Sequence, residues 1–281
     1  MTLVVAWFRE RFGNLWVAAD TRISANPFVL TEHGPKIFQI PVVCRKILRH
    51  GETSRIYRTN YGFAYSGSTV SALGVHALAS ACCQNLSSER KIDPPSVEDV
   101  ARLYRKLAEI QVMEMCSHLA PHKWQSTFFY AFVFGFCLLK KRHQLWVIEM
   151  GFAENALKAS VRELPPSPGI YYPIGSGTEK FNRLIDEEAA KNSGWGVSYV
   201  LDKMIRGATD PTVGGYMQIG IADATGVTLP PLLVPGDAAP SANITFLGVP
   251  VDTLGNVGGF TIGYHAIGPD EQELAERAAK T

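Results

Sequence analysis

The sequence predicts an α+β chain arranged as a four-layer αββα sandwich, with two β-sheets face to face and a helix pair over each outer side. Three observations lead there. Elements come in blocks, strands then two helices, twice over, and then strands again; the helical blocks are apolar along one side; and a returning hairpin is apolar on both faces. Stacking the blocks in that order covers every apolar face. At 281 residues the chain is long enough to bury roughly 75% of its unfolded surface without cross-links.

The first block reads as "LVVAWF" (3–8), "LWVAAD" (15–20), "KIFQIPV" (36–42) and "YGFAYSG" (61–67), with "RFGN" as a hairpin turn between the first two. The basic stretch "CRKILRHGETSRIYRTN" between the third and fourth reads as a solvated loop. Helices follow in "STVSALGVHALASACC" and "PPSVEDVARLYRKLAEIQVMEMCSHLA". In the second, Val97, Val100, Tyr104, Leu107 and Ile110 recur at helical spacing, Pro95 and Ser96 mark the start, and Pro121 the end.

Strands return at 126–139 and 145–152, joined by a "KKRHQ" turn. A Pro-rich connector, "ELPPSPGIYYPIGSG", leads to "TEKFNRLIDEEAAK", with Phe181, Leu184, Ile185 and Glu188 on one side. A second helix carries Val197, Val200, Leu201, Met204 and Ile205 on one face, and "GGYMQIGIAD" (214–223) closes the unit. Residues 1–225 form this domain. Residues 226–281 read as an extension with short strands, "NITFLGV" and "GGFTIGYHAI", and a charged terminal helix, "DEQELAERAAK".

The balance of 27 basic against 26 acidic residues argues against nucleic acid and anionic membrane partners. Five cysteines, an odd number lying mostly in apolar runs, read as reduced core residues rather than a disulfide framework or zinc site. The longest apolar stretch is too short to span a bilayer and carries no cationic region upstream, so a cytoplasmic location is expected. No metal or cofactor is expected. The chain has no phosphate-binding loop, which leaves any use of ATP to another protein.

The candidate chemistry begins at Thr2, at the head of the first strand. Once Met1 is removed, a step sterically easy before a small residue, Thr2 combines a hydroxyl nucleophile with an α-amine of pKa about 7.7–8.0, a base close to cell pH. Such a site needs a cation near the amine and hydroxyl, an acid to hold the cation, and N–H donors for an oxyanion. Asp20 ends the second strand and Lys36 opens the third, so neighbouring strands can bring both beside Thr2. Gly67, at a strand-to-helix junction, offers a backbone N–H at a positively polarised helix end.

The ordered motifs "LWVAADTRIS", "GPKIFQIP", "FAYSGSTVSAL", "YYPIGSGTEKFNRLI" and "RGATDPTVGGYMQIGI" resemble those of the proteasome β-subunit and the bacterial HslV peptidase, over residues 2–223. The Met-Thr start and the C-terminal extension look closest to the bacterial proteasome homologue group. The resemblance implies an N-terminal-nucleophile hydrolase with Thr2 as nucleophile, Asp20 and Lys36 as its charged supports and Gly67 as oxyanion donor. It implies that Ser176 relays protons with the amine and a water, and that Asp210 is a supporting acid. It further implies that the backbone at Ser24 pairs with extended substrate, and that Ile23, Gly34, Phe38, Tyr65, Thr69 and Leu73 line a pocket for small or medium apolar side chains.

Val213 departs from the family pattern, standing where a serine or threonine is usual, with Thr212 adjacent. The resemblance also implies a homo-oligomeric ring, heptameric or a stacked double ring, acting on unfolded peptide with a separate ATP-driven unfoldase. The expected function is a self-compartmentalising threonine peptidase. Two alternatives stand beside it: an inactive ring scaffold and a small-molecule amidase of the same type.

Overall fold

The structure is a computed structural model and describes residues 2–25, 28–48, 51–90, 93–153, 156–190, 196–207, 210–235, 242–263 and 265–268. The first block forms β1 (Leu3–Arg9), β2 (Asn14–Asp20), β3 (Ile23–Ala25), β4 (Phe28–Thr31), β5 (Ile37–Ile47) and β6 (Thr53–Gly67). Helix α1 (Thr69–Cys83), β7 (Leu86–Ser88) and α2 (Val97–Ser117) follow, then β8 (Phe129–Cys137), β9 (Arg142–Ala153), β10 (Ala156–Glu163) and β11 (Tyr171–Gly175). Next come α3 (Thr178–Ala190), α4 (Val197–Arg206), β12 (Met217–Asp223) and β13 (Gly226–Thr228). The rest of the described chain holds β14 (Leu232–Pro235), β15 (Ala242–Phe246), β16 (Val249–Pro250), α5 (Val251–Leu254), β17 (Asn256–Val257) and β18 (Phe260–Thr261).

The fold is mixed α+β, with two larger sheets in the orders β11-β1-β2-β12-β13 and β10-β9-β8-β6-β5-β7. Strand pleating sorts their side chains. Val4 and Ala6 of β1 join Val17, Ala64, Phe132 and Phe134 in a cluster between the sheets, whereas Leu3, Val5 and Trp7 meet Phe181, Val200, Leu201 and Met204 of α3 and α4. On the other sheet, Tyr61, Phe63 and Tyr65 of β6 point to Ala72, Val75, Val100 and Tyr104 of α1 and α2.

Several elements differ from the sequence reading. The basic stretch expected as a loop continues the β5–β6 hairpin, with Cys44 opposite Tyr57 and Ile47 opposite Thr53. Most of its residues are exposed, Ile56 among them, with Ile47 and Tyr57 half-buried, so it is a solvated ribbon whose charge masked a strand pattern. Strands β10 and β11 lie in segments not assigned as strands; prolines hide β11, which nonetheless pairs Gly175 with Leu3. Glu188 on α3 is buried and accepts from Lys203 Nζ of α4 at 2.7 Å, an ion pair between helices rather than an apolar contact. All five cysteines are free, but Cys44 and Cys82 are only half-buried. The expected terminal helix "DEQELAERAAK" lies outside the described residues.

Helix α2 starts where Ser96 caps it: Ser96 Oγ accepts from Asp99 N at 3.1 Å, and Asp99 Oδ2 accepts from Ser96 N at 2.8 Å. This reciprocal box satisfies two otherwise orphaned N–H groups. Replacing Ser96 with Ala should lower the unfolding free energy by about 1 kcal/mol, read in urea as a lower midpoint at unchanged slope.

Candidate functional site

Strand β2 ends at Asp20, where its continuous buried apolar run stops, and the carboxylate is fully buried. A buried charge is tolerated only when its oxygens are met by donors. Asp20 Oδ1 accepts from Thr2 Oγ1 at 2.8 Å, Leu3 N at 3.0 Å and Lys36 Nζ at 2.7 Å. Asp20 Oδ2 accepts from Gly214 N at 3.1 Å and Arg22 N at 3.2 Å. The Thr2 hydroxyl and the Lys36 ammonium therefore meet on one carboxylate oxygen. Burial lowers the Lys36 pKa, opposed by the Asp20 charge and hydrogen bond.

Gln218 was not anticipated. Its amide oxygen accepts from Lys36 N at 3.0 Å and Ile37 N at 3.2 Å, while its nitrogen donates to Asp20 O at 3.1 Å. It thereby ties the end of β2 to the start of β5. The signal lay in "YMQIGI": a glutamine at an inward position of an otherwise apolar strand needs buried partners. The glycine pair in "VGGY" is a second missed feature. A Cβ on Gly214 would overlap the Arg22 guanidinium, and one on Gly215 would overlap Glu32 O.

Ser176 and Asp210 are brought together through Thr212. Thr212 Oγ1 donates to Asp210 Oδ1 at 2.6 Å and lies 2.9 Å from Ser176 Oγ, so Ser176 is the donor of that second pair. The register Leu3↔Gly175 puts Ser176 level with Thr2. Val213, in contrast, is fully buried in the cluster with Leu3, Met217 and the helices. Gly175 has φ +112°, and a Cβ there would overlap the Thr2 carbonyl oxygen. Gly67 likewise has φ +100°, and a Cβ would come within 2.7 Å of Phe128 O, so only glycine places the exposed backbone at the head of α1.

The contacts of the expected pocket residues fall into two groups, Ile23 with Gly34 and Phe38 with Tyr65. Ile23 fills the space a Cβ of Gly34 would take. Phe38 stacks on Tyr65 with centroids 6.4 Å apart and meets His76 at 4.9 Å. Thr69 lies beside Tyr65 in the first turn of α1, and Leu73, one turn later, is exposed. Tyr65 is buried, with its hydroxyl beside Thr69 but without a well-formed hydrogen bond, and burial raises its pKa. Ser24 sits in β3 opposite Val29 of β4. His76, unforeseen, is 2.9 Å from Tyr104 Oη, and burial lowers its pKa to about 4. Among the described residues no group of His, Cys, Asp or Glu is placed to hold a metal ion, and no helix is long and apolar enough to cross a membrane.

No family model matches the chain, and no curated protein matches it. Among solved structures it is similar to Anbu (ancestral beta-subunit) from Yersinia bercovieri, with a TM-score of 0.51 and 14% identity, covering 82% of this chain and 86% of that one. At that identity the likeness shows a proteasome-like fold and nothing finer. It corrects the placement with the bacterial proteasome homologue group, since the likeness extends to the fold and singles out no particular group.

Two outcomes follow from the buried titratable groups. Lys36→Ala strands the Asp20 carboxylate and should cost about 3–5 kcal/mol in urea unfolding; Lys36→Met with Asp20→Asn should cost less than the sum of the two single changes. For His76, a folded pKa of about 4 lies below the ordinary value of about 6.5, so the unfolded chain binds the extra proton between those limits. Stability is full above pH of about 6.5 and falls as pH drops toward 4, by up to about 3 kcal/mol. His76→Phe should flatten that part of a stability-versus-pH curve.

Proposed function

We propose that the protein is an N-terminal threonine hydrolase that cleaves peptide amide bonds through an acyl-enzyme. The observation that carries this reading is the single Asp20 oxygen shared by the Thr2 hydroxyl and the Lys36 ammonium. With Met1 removed, the Thr2 amine takes the hydroxyl proton, and the oxygen attacks the peptide carbonyl. Lys36 stabilises the developing alkoxide and Asp20 holds Lys36 in place. The oxyanion accepts a hydrogen bond from Gly67 N–H. The C–N bond then breaks, and the proton passes from the Thr2 ammonium to the leaving amine. Water, activated by the same amine, hydrolyses the ester and frees Thr2.

The chain Asp210–Thr212–Ser176 supports the proton relay beside Thr2. The Thr212 hydroxyl, adjacent to Val213, supports the active reading over the inactive scaffold. Substrate would lie extended along Ser24, with its side chain toward Ile23, Gly34, Phe38, Tyr65, Thr69 and Leu73. The aromatic pair Phe38 and Tyr65 in that lining supports a preference for small or medium apolar side chains. In this reading the three apolar clusters describe a four-layer αββα sandwich, residues 1–225 form the proteasome-like unit, and residues 226–281 are an extension on it. We further assign it to a cytoplasmic homo-oligomeric ring, heptameric or doubled, that admits unfolded peptide from a separate ATP-driven unfoldase.

The test is the intact mass of the purified protein together with turnover of short peptide amides. The expected result is loss of Met1, covalent labelling of Thr2 by an electrophilic inhibitor, and a fall of at least about 10³-fold in kcat for Thr2→Ala. Equal rates for Thr2→Ala and wild type would remove Thr2 from the mechanism. Light scattering that gave a monomer or dimer would favour the small-molecule amidase over the ring.

A further inference from the structure

The strands after residue 226 do not hang free of the domain. Leu232 is buried in the cluster with α4 and Ile267, and Leu233 N and Ile267 N pair with Ile267 O and Pro231 O at 2.8 and 2.9 Å. Beyond this anchor a cavity of about 1260 Å³ separates α4 (Asp202, Ile205) from Asn243, Ile244 and Val251. The extension comes back to the domain at the turn between β15 and β16. There Leu247 and Gly248 have φ values of +49° and +87°, the two left-handed residues of a tight hairpin turn. A leucine held in that region is strained, and strain that persists is held by its surroundings.

What holds the turn is Thr21 and His33. A Cβ on Gly248 would come within 2.5 Å of Thr21 Cγ2 and 2.9 Å of Thr21 Cβ, so the glycine backbone lies directly on that side chain. Gly248 O accepts from His33 Nδ1 at 2.7 Å, which assigns the ring proton to Nδ1. The His33 ring in turn stacks on Tyr216, with centroids 5.6 Å apart. Thr21 itself is fully buried and braces its surroundings: its hydroxyl donates to Glu32 O at 2.5 Å and accepts from Tyr216 N at 2.7 Å, and its carbonyl accepts from Gly34 N at 2.8 Å. The next residue, Arg22, donates its N–H to Asp20 Oδ2. Between these ends β4 is loosely covered, with Phe28 and Leu30 71% and 65% exposed.

We propose that the β15–β16 turn is a latch on the segment 21–34, with His33 as a positioning residue for the candidate site. The latch closes the base of the β3–β4 hairpin, and so sets both the Arg22 donor to Asp20 and the Ile23–Ser24 edge along which substrate would lie. The C-terminal extension is thereby a structural component of the site. This inference rests on the hydrolase reading for its effect on chemistry, but not for its effect on the segment's order.

The experiment compares His33→Ala, His33→Asn and His33→Gln in the full-length protein. The asparagine amide nitrogen can stand where Nδ1 does, and the glutamine amide reaches past it. Expected for His33→Ala are about tenfold slower labelling of Thr2 by the electrophile, equivalent to losing roughly one net hydrogen bond, and faster amide exchange at Thr21, Arg22 and Gly34 with Tm little changed. His33→Asn should return both readouts to within about twofold of wild type, and His33→Gln should not. Wild-type labelling and exchange in His33→Ala, or equal defects in His33→Ala and His33→Asn, would overturn the latch. If wild type itself is not labelled at Thr2, the hydrolase reading fails, and amide exchange at 21–34 alone decides the latch.

Discussion

A carboxylate with no access to water organises this molecule. Removing Asp20 from solvent costs several kcal/mol unless its lone pairs are filled, and five donors from four stretches of chain fill them. Those donors come from the start of β1, the residues just after β2, the residue before β5 and the loop before β12. The ends of elements far apart in sequence are therefore held to one point, and the two sheets meet there in a fixed relation. Gln218 reinforces this by joining β2 and β5 through its amide. The glycines at 175, 214 and 215 are the places where backbone must come close enough for the point to form.

Around that point the polar groups divide into two environments. Behind Thr2, hydroxyls and carboxylates follow one another in hydrogen-bonded order from Asp210 to Ser176. Toward α1 the surroundings are aromatic, and His76 is kept neutral among Phe38, Phe63 and Tyr104. One side thus offers hydrogen-bonded hydroxyls and a carboxylate, the other only weakly polar rings.

The sequence disclosed the blocks of strands and helices because apolar periodicity is a local property, and it disclosed Thr2, Asp20 and Lys36 as candidates because each ends or begins a strand. It was silent where the decisive information is non-local. Prolines concealed β11, although its pairing with β1 is what carries Ser176 to Thr2. Charge concealed the outer half of the β5–β6 hairpin. At Val213 and Thr212 the family pattern and the structure differ by one residue: Val213 is buried among apolar side chains, and the turn at Asp210, whose carboxylate accepts from Thr212 N and Oγ1, is what brings the Thr212 hydroxyl to Ser176. Latching of the segment 21–34 by Gly248 involves residues more than two hundred positions away, beyond any local pattern.

Strand β6 carries neighbouring residues to three destinations: Tyr65 to the helix side, Ser66 to the buried interval facing Gly175, and Gly67 to the mouth of α1. Its parity is consequently under a constraint that its outer half escapes. Lengthening the chain by one residue between Tyr61 and Gly67 would send the phenol inward and the serine outward, exchanging a side chain packed against the helices for a filler between sheets. Lengthening it at the solvated far end would leave every partner in place. Indels in related chains should therefore accumulate near the tip of this ribbon and be absent from its last two turns of pleat.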